Sequence, residues 1–590
     1  MSFQIGRGGP FPPPYEDSGG PRQPPSTFRL KGSPESKTHR SRGGGAMHPK
    51  KRHERDFWER PWLLLTLVLA AGLPLLWPEV PPLLDLPGHI GRYRIQLDLD
   101  RSAALQEFYE FDWALNGNLG VDLLVQLLAP LVGLEPAVKA IVIAIPPLTV
   151  AGLFWVAHEV HGRVPPTALF AAPFAFGFPF LFGFVNFSLA MALALIAFAY
   201  WLRLARQERF RLRAALFVPI SMLLWLAHVF GWGTLGVLAF SAELVRQQDN
   251  GRSVIAAAFR SAVHCLALAP PFALLLLWRS EGGGVTAGWF DLARKLEWLT
   301  MALRDRWLWF DLAALGVVAA LLVAALASRP MTYSRNLAAS ALFLSLVFVV
   351  MPLDVFGSGY ADMRLAPYLF AIAIVAVRFR EGASRALQAG FAVAGLAFIL
   401  IRTAGTTVSM AIEDRSFARE LAALDHVPRG ARLVSFVGRR CVEPWAMSRL
   451  MHLPGLAIAR REAFSNDQWS TAGAQLLRVR YEAGRPFTGD PSHLVTEHRC
   501  PGRPWRTASQ ALATFPRHAF DYVWTIDPPP FDPIVAAGLQ PIWRDGPSVL
   551  YRVTQIPIVG SARRSPAESR RRSERPATRS VLRAPSPAAR

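Results

Sequence analysis

Apolar runs of roughly 15 to 25 residues recur from Pro61 to about residue 405, most of them near the ~20 residues a helix needs to cross a hydrocarbon core. Eleven are readable, at approximately 61–80, 136–157, 166–183, 186–202, 213–230, 232–246, 254–278, 307–327, 336–353, 364–379 and 386–405. The third and fourth meet at Phe182 to Phe187 and the fifth and sixth at His228 to Gly233, so each pair reads as a hairpin with almost no loop or as one broken helix. Such a pattern excludes an ordinary water-soluble fold. With 52% hydrophobic and only 18% charged residues and a mean hydropathy of +0.24, the bilayer is the solvent this chain requires.

Arginines set the expected orientation, because Lys and Arg in short loops stay on the cytoplasmic side. Arg203, Arg206, Arg209, Arg211 and Arg213 crowd one loop; Arg246 and Arg252, Arg329 and Arg335, and Arg378, Arg380 and Arg385 mark others. With eleven spans and a cytoplasmic N-terminus, all of these fall inside. The alternate loops near 81–135, 279–306 and 354–363 then fall outside, carrying Asp85, Asp112, Asp291, Asp354 and Asp362. The 279–306 loop holds five basic residues against the rule, but its pattern is amphipathic and suits a helix lying on the interface.

Four regions follow: a basic tail over 1–60, a transmembrane domain over 61–410 with its first external loop at 81–135, an exported soluble domain over 411–556, and a second basic tail over 557–590. Both tails are rich in Pro, Ser or Gly and lack apolar periodicity, the composition of disorder. The first sixty residues carry 12 Lys/Arg against 6 Asp/Glu, and the stretch from Pro557 carries 9 against 2, so these tails account for most of the net +21. No foldable segment carries basic residues interleaved with aromatics, which argues against nucleic acid as a partner. Pro12 to Tyr15 spells a PPPY peptide of the kind that docks WW-type grooves, a cheap match in a proline-rich tail, and Met47 offers an alternative start.

The soluble region reads as a small α/β domain, with strands at Leu433 to Val437, Tyr522 to Ile526 and Val549 to Val553. Cys441 and Cys500 flank its first half. If it is exported, a disulfide between them closes a loop of about 60 residues and contributes roughly 4 kcal/mol on the chain-entropy estimate; two unpaired thiols are the alternative. Cys441, Glu443, Trp445, His452, Arg460, Arg461, Asn466 and Trp469 suit either an acceptor groove or simple folding of the domain.

Directly after the first run stands Asp85-Leu-Pro-Gly-His89, followed by Arg92 and Arg94. A carboxylate, an imidazole and two guanidinium groups at a membrane exit suit an anionic head group and a hydroxyl to be deprotonated, or equally an interfacial loop meeting lipid. Glu107, Glu110, Asp112 and Asp122 further along offer a second carboxylate or the solvated face of a surface helix. His228 precedes Gly231 and Gly233 at the outer end of a run. Asp354, Asp362 and Arg364 bracket another outer loop as candidate ligands or a membrane-edge ion pair. Asn186 suits a backbone cap in its Phe-rich turn. His158-Glu-Val-His161 imitates a zinc signature with the wrong spacing, so no metal and no other cofactor is expected, a divalent ion having no motif to hold it.

Asp85-Leu-Pro-Gly-His89, Asn118-Leu-Gly-Val-Asp122, Gly183-Phe-Val-Asn186-Phe and Asp362-Met-Arg364-Leu-Ala-Pro367 resemble segments of the GT-C superfamily of polyprenyl-phosphate-sugar-dependent glycosyltransferases, in its uncharacterised bacterial branches. The resemblance spans roughly residues 60 to 555. It departs from the family in one respect: the usual pair of adjacent acids is missing, since Leu86 follows Asp85. It implies an inner-membrane enzyme that moves a sugar from a lipid-linked donor to an extracytoplasmic glycan, lipid or protein acceptor. It implies Asp85 as base on the acceptor hydroxyl, with His89, Arg92, Arg94, Asp112, His228, Asp362 and Arg364 binding substrate. The alternative is a non-enzymatic protein, such as a transporter or flippase component for lipid-linked saccharides, which calls for ionisable groups near mid-membrane. Here most acids stand at run ends.

Overall fold

The structure is a computed structural model and describes residues 56–277, 286–355, 358–470 and 475–554. The PPPY peptide, Met47, residues 1–55 of the first tail, the whole of the second tail and Gly357 lie outside the described residues, while Phe57–Glu59 at the end of the first tail forms a 3-10 helix.

Each apolar run contains helix, and among the described residues six helices are long and apolar enough to cross a membrane by length and composition: Leu134–His161, Val185–Arg206, Phe210–Ala227, Val229–Asp249, Leu308–Ala327 and Arg385–His426. Shorter apolar helices occupy Pro61–Leu75, Val254–Leu268, Arg335–Val350 and Met363–Ala376, and one more, Gly120–Val132, lies in the first loop. The chain is thus an integral membrane protein of mostly helical architecture. The run at 166–183 departs from the expected span. It forms a buried 3-10 helix, Pro166–Phe176, and a single short α-turn, Phe178–Phe182, ended by Gly183 at φ +101°. Pro166, Pro173 and Pro179 supply no N–H to an α-ladder, which favours the tighter, broken path. Two buried arginines within the apolar helices are paired: Arg213 with Glu243 and Arg402 with Asp311, the latter at 2.7 Å.

The helix Arg385–Leu421 is 37 residues long, about 55 Å at 1.5 Å per residue. It leads through a 3-10 turn, Ala422–His426, straight into the C-terminal sheet. That sheet comprises β1 (Leu433–Gly438), β2 (Leu494–Thr496), β3 (Arg506–Thr507), β4 (Tyr522–Ile526), β5 (Leu539–Asp545) and β6 (Ser548–Val553) in the order β3-β2-β1-β4-β6-β5. The β3-β2-β1-β4 part is parallel and the β4-β6-β5 part antiparallel, so all three strands expected from sequence lie in one mixed sheet. Cys441 and Cys500 are joined as a disulfide, with Cα atoms 5.3 Å apart.

The first loop belongs structurally to this domain. Tyr109–Phe111 pairs antiparallel with Leu477–Val479, and Ile95, Leu105, Phe108 and Tyr109 share a hydrophobic core with Val434, Phe436 and Phe464. Helix Leu86–Asp98 crosses helix Gly455–Arg461 through glycines. A Cβ at Gly91 would stand 2.5 Å from the Gly455 carbonyl oxygen, and one at Gly455 would stand 2.6 Å from that of Pro87. Both neighbours are backbone and cannot swing away. Gly91→Val is therefore expected to destabilise the protein by about 1–3 kcal/mol through overpacking. A melting temperature in detergent equal to that of wild type would disprove so close a crossing.

On its other side the domain is bolted to the helices. Arg449 donates to Asp305 at 2.6 Å and to the Pro82 carbonyl at 2.9 Å, while Trp445 Nε1 donates to Asp311 at 2.8 Å. Arg304 donates to the carbonyls of Pro444 and Trp445.

Candidate functional site

Asp85 is the residue just before helix Leu86–Asp98, yet its carboxylate does not cap that helix. Its backbone N–H donates to the Phe182 carbonyl at 3.0 Å, and a Cβ at Gly183 would meet the Asp85 nitrogen at 2.7 Å. Only glycine permits that approach, which presses the turn of one sequence motif onto the acid of another. Asp85 is 7% exposed, and its Oδ1 is buried without a hydrogen-bond partner. Burial pushes its carboxyl up to about 7; His452, Arg364 and Arg439 favour the ionised form, while Asp490 opposes it.

One wall comes from the C-terminal domain. His452, in the turn before helix Gly455–Arg461, has Nε2 3.9 Å from Asp85 Oδ1 and Nδ1 3.7 Å from Asp467 Oδ2. Asp467 in turn accepts from Ser465 Oγ at 2.8 Å and from Gln468 Nε2 at 3.2 Å. Burial disfavours a charged His452, but the nearby carboxylates of Asp467, Asp85 and Asp490 outweigh that and raise its pKa. His89, one turn beyond Asp85, packs its ring 5.0 Å from Trp469. Burial first, then Arg92 and His452, hold its imidazole neutral.

Opposite stands Arg364, 8% exposed, and among the described residues no carboxylate forms an ion pair with it. Its guanidinium lies 4.2 Å over Phe184, with Phe230 and Phe187 further out. It donates to Gly359 O at 3.1 Å and Ser358 Oγ at 3.2 Å, its Nη1 is 3.5 Å from His228 Nε2, and its Nε finds no partner. His228 Nδ1 accepts from the Phe230 N–H and so caps helix Val229–Asp249. A buried guanidinium caged by aromatics and lacking a counter-ion is costly unless an anion joins it.

Four other candidates are engaged elsewhere. Arg92 is buried against Asp122 at 2.5 Å, and Asn186 ties that acid to the Asn118 carbonyl. This pair is structural, a clamp between the first loop and helix Val185–Arg206. Arg94 bonds Asp98 and the Ala459 carbonyl on the domain side. Asp112 is exposed, 3.9 Å from Arg478. Asp362 is buried against Lys295 at 3.0 Å and caps the next turn. Arg92, Asp112 and Asp362 each meet an opposite charge far along the chain, which no local spacing announces, whereas Arg94 meets Asp98 one helical turn away. Asp122→Ala strands Arg92 in the interior and is expected to cost about 3–5 kcal/mol, part of which Arg92→Met should restore. Thermal unfolding of the single and double variants checks it, and a harmless single variant would refute the clamp.

Sequence reading gave His452 only a groove-lining part and missed Asp467, Asp490, His493 and Arg439, which reach the site from loops far apart in the chain. Arg439 is half-buried and ion-paired with Glu443 at 2.8 Å, with its Nε and Nη1 free of hydrogen bonds. Of the imitated zinc motif, His158 is exposed and His161 meets the Val375 carbonyl at 2.8 Å. A cavity of about 330 Å³ lies elsewhere, lined by Phe210, Arg213 and His264 among others.

Fold and site together define a polytopic helical protein in which the first loop and the C-terminal domain bury an acid and two imidazoles, and the apolar helices cage a guanidinium. No family model and no curated protein matches the chain. One similar solved structure is that of ArnT from Cupriavidus metallidurans bound to undecaprenyl phosphate. It is 12% identical with a TM-score of 0.44, covering 82% of this chain and 97% of that one. No residue role is taken from that likeness.

Proposed function

We propose that the chain is a membrane glycosyltransferase that moves a sugar from a polyprenyl-phosphate donor to an acceptor on the outer side of a bacterial inner membrane. The observation that carries this reading is the pairing across one buried site of a carboxylate with a bare oxygen and a guanidinium with no counter-ion. Asp85 accepts the acceptor's hydroxyl proton as the new bond to the anomeric carbon forms. The bond from that carbon to the phosphate oxygen breaks, its electron pair stays on that oxygen, and polyprenyl phosphate leaves. Arg364 neutralises the departing anion where unpaired charge is expensive, and His228 holds the turn that carries the aromatic cage. All four sequence motifs meet here: Gly183 against Asp85, Asn186 on Asp122, and Arg364 over Phe184.

Deleting the gene tests the reading. The lipid-linked donor should accumulate while one surface glycan, lipid or protein loses its sugar, and the wild-type gene should reverse both. Unchanged lipid-linked sugars and unchanged surface sugars would overturn it.

A further inference from the structure

We infer that His452, Asp490 and His493 form a binding site for a divalent transition-metal ion of the zinc class. Each offers one ligand atom, and these atoms lie within 4.8 Å of one another. A tetrahedral ion with ligand bonds of about 2.0–2.2 Å needs its donors roughly 3.4 Å apart, so small side-chain rotations close the site. Two imidazoles and a carboxylate are a donor set that suits zinc and its neighbours and ill suits calcium or magnesium, which take oxygen ligands.

A second observation points the same way. His493 is wholly buried, yet neither of its ring nitrogens makes a hydrogen bond of good geometry, and Nδ1 of the equally buried His452 makes none either. Buried polar atoms left unsatisfied are rare and costly in native proteins, and an ion between the rings satisfies one nitrogen of each. The ring centroids are 5.1 Å apart, and His493 Nδ1 is 3.9 Å from Asp490 Oδ1.

The backbone holds these ligands in place without the metal. The His493 carbonyl accepts from the Val437 N–H in β1 at 2.7 Å, and the Asp490 N–H donates to the Gln468 carbonyl at 3.0 Å. His452 accepts at its carbonyl from the Gly455 N–H, opening helix Gly455–Arg461. The ligands therefore come from three anchored points, and an open coordination position remains beyond the three protein donors. Since His452 also lies 3.9 Å from Asp85, the ion would stand beside the candidate base.

The inference does not depend on the transfer reading, because it is tested by metal content rather than turnover. Full-length protein purified from membranes without chelator is analysed for metals by mass spectrometry, and after exchange into cobalt its visible spectrum is recorded. Wild type should hold about one transition-metal ion per chain and give the d–d bands of cobalt with nitrogen and oxygen ligands. Asp490→Asn, at the more accessible ligand, should lose at least ten-fold in zinc affinity, and His493→Ala should lose the ion and the bands altogether. Melting temperature with and without added zinc guards against misfolding: zinc should raise that of wild type and leave that of Asp490→Asn unmoved. A metal-free wild type that takes up no zinc, or equal metal content in wild type and both variants, would overturn the site.

Discussion

Asp85→Asn is expected to lower sugar transfer by about 10²–10⁴-fold while leaving the melting temperature unchanged or slightly raised. The first figure is the usual contribution of a positioned general base. The second follows from the environment: the carboxylate is buried, its Oδ1 accepts no hydrogen bond, and desolvation, outweighing the nearby cations, brings its pKa up to about 7. A neutral amide of the same shape avoids the cost of burying that charge. The substitution keeps the Gly183 contact, which involves the backbone and Cβ of residue 85. Turnover in isolated membranes and thermal unfolding of the same preparation check both halves together. Activity within about three-fold of wild type would remove Asp85 as base, and a joint loss of activity and stability would make it a structural residue.

Arg364→Gln should cost about 10²–10³-fold in turnover, the range for removing one preorganised donor to developing negative charge. It should not cost stability, since the guanidinium is buried without an acidic partner among the described residues. Arg364→Lys should recover little. An ammonium keeps the charge but lacks the planar face that lies over Phe184 and the fork that reaches Gly359 and Ser358 together. Because the anion is bound more tightly as it departs, the loss should fall on kcat more than on KM. A pure KM effect would instead make Arg364 a ground-state anchor for the donor.

Apolar periodicity made the helical layout legible, because burial in lipid demands long uncharged runs and the helix there is forced by backbone hydrogen bonding. The 166–183 run was misread because its hydrophobicity is that of a span while three prolines break the ladder that a span needs. Asp85 was legible from its place after the first run, and Arg364 from its flanking acids. The pairings of Arg92 and Asp362 were not, since Asp122 and Lys295 belong to other elements. Nor was the metal-ligand group, whose members gain proximity only through sheet registry and a turn. The docking of the first loop onto the C-terminal domain was hidden for the same reason: the close approaches at Gly88, Gly91 and Gly455 join segments more than 350 residues apart.

The central claim is that this chain cleaves a lipid-linked sugar rather than carrying it. Purified full-length protein reconstituted into vesicles with polyprenyl-phosphate sugars and envelope acceptors, assayed for released polyprenyl phosphate, tests that most directly. Release by wild type, abolished in Asp85→Asn, is the predicted result. Intact donor crossing between leaflets with no phosphate released, at the same rate in both proteins, would contradict it.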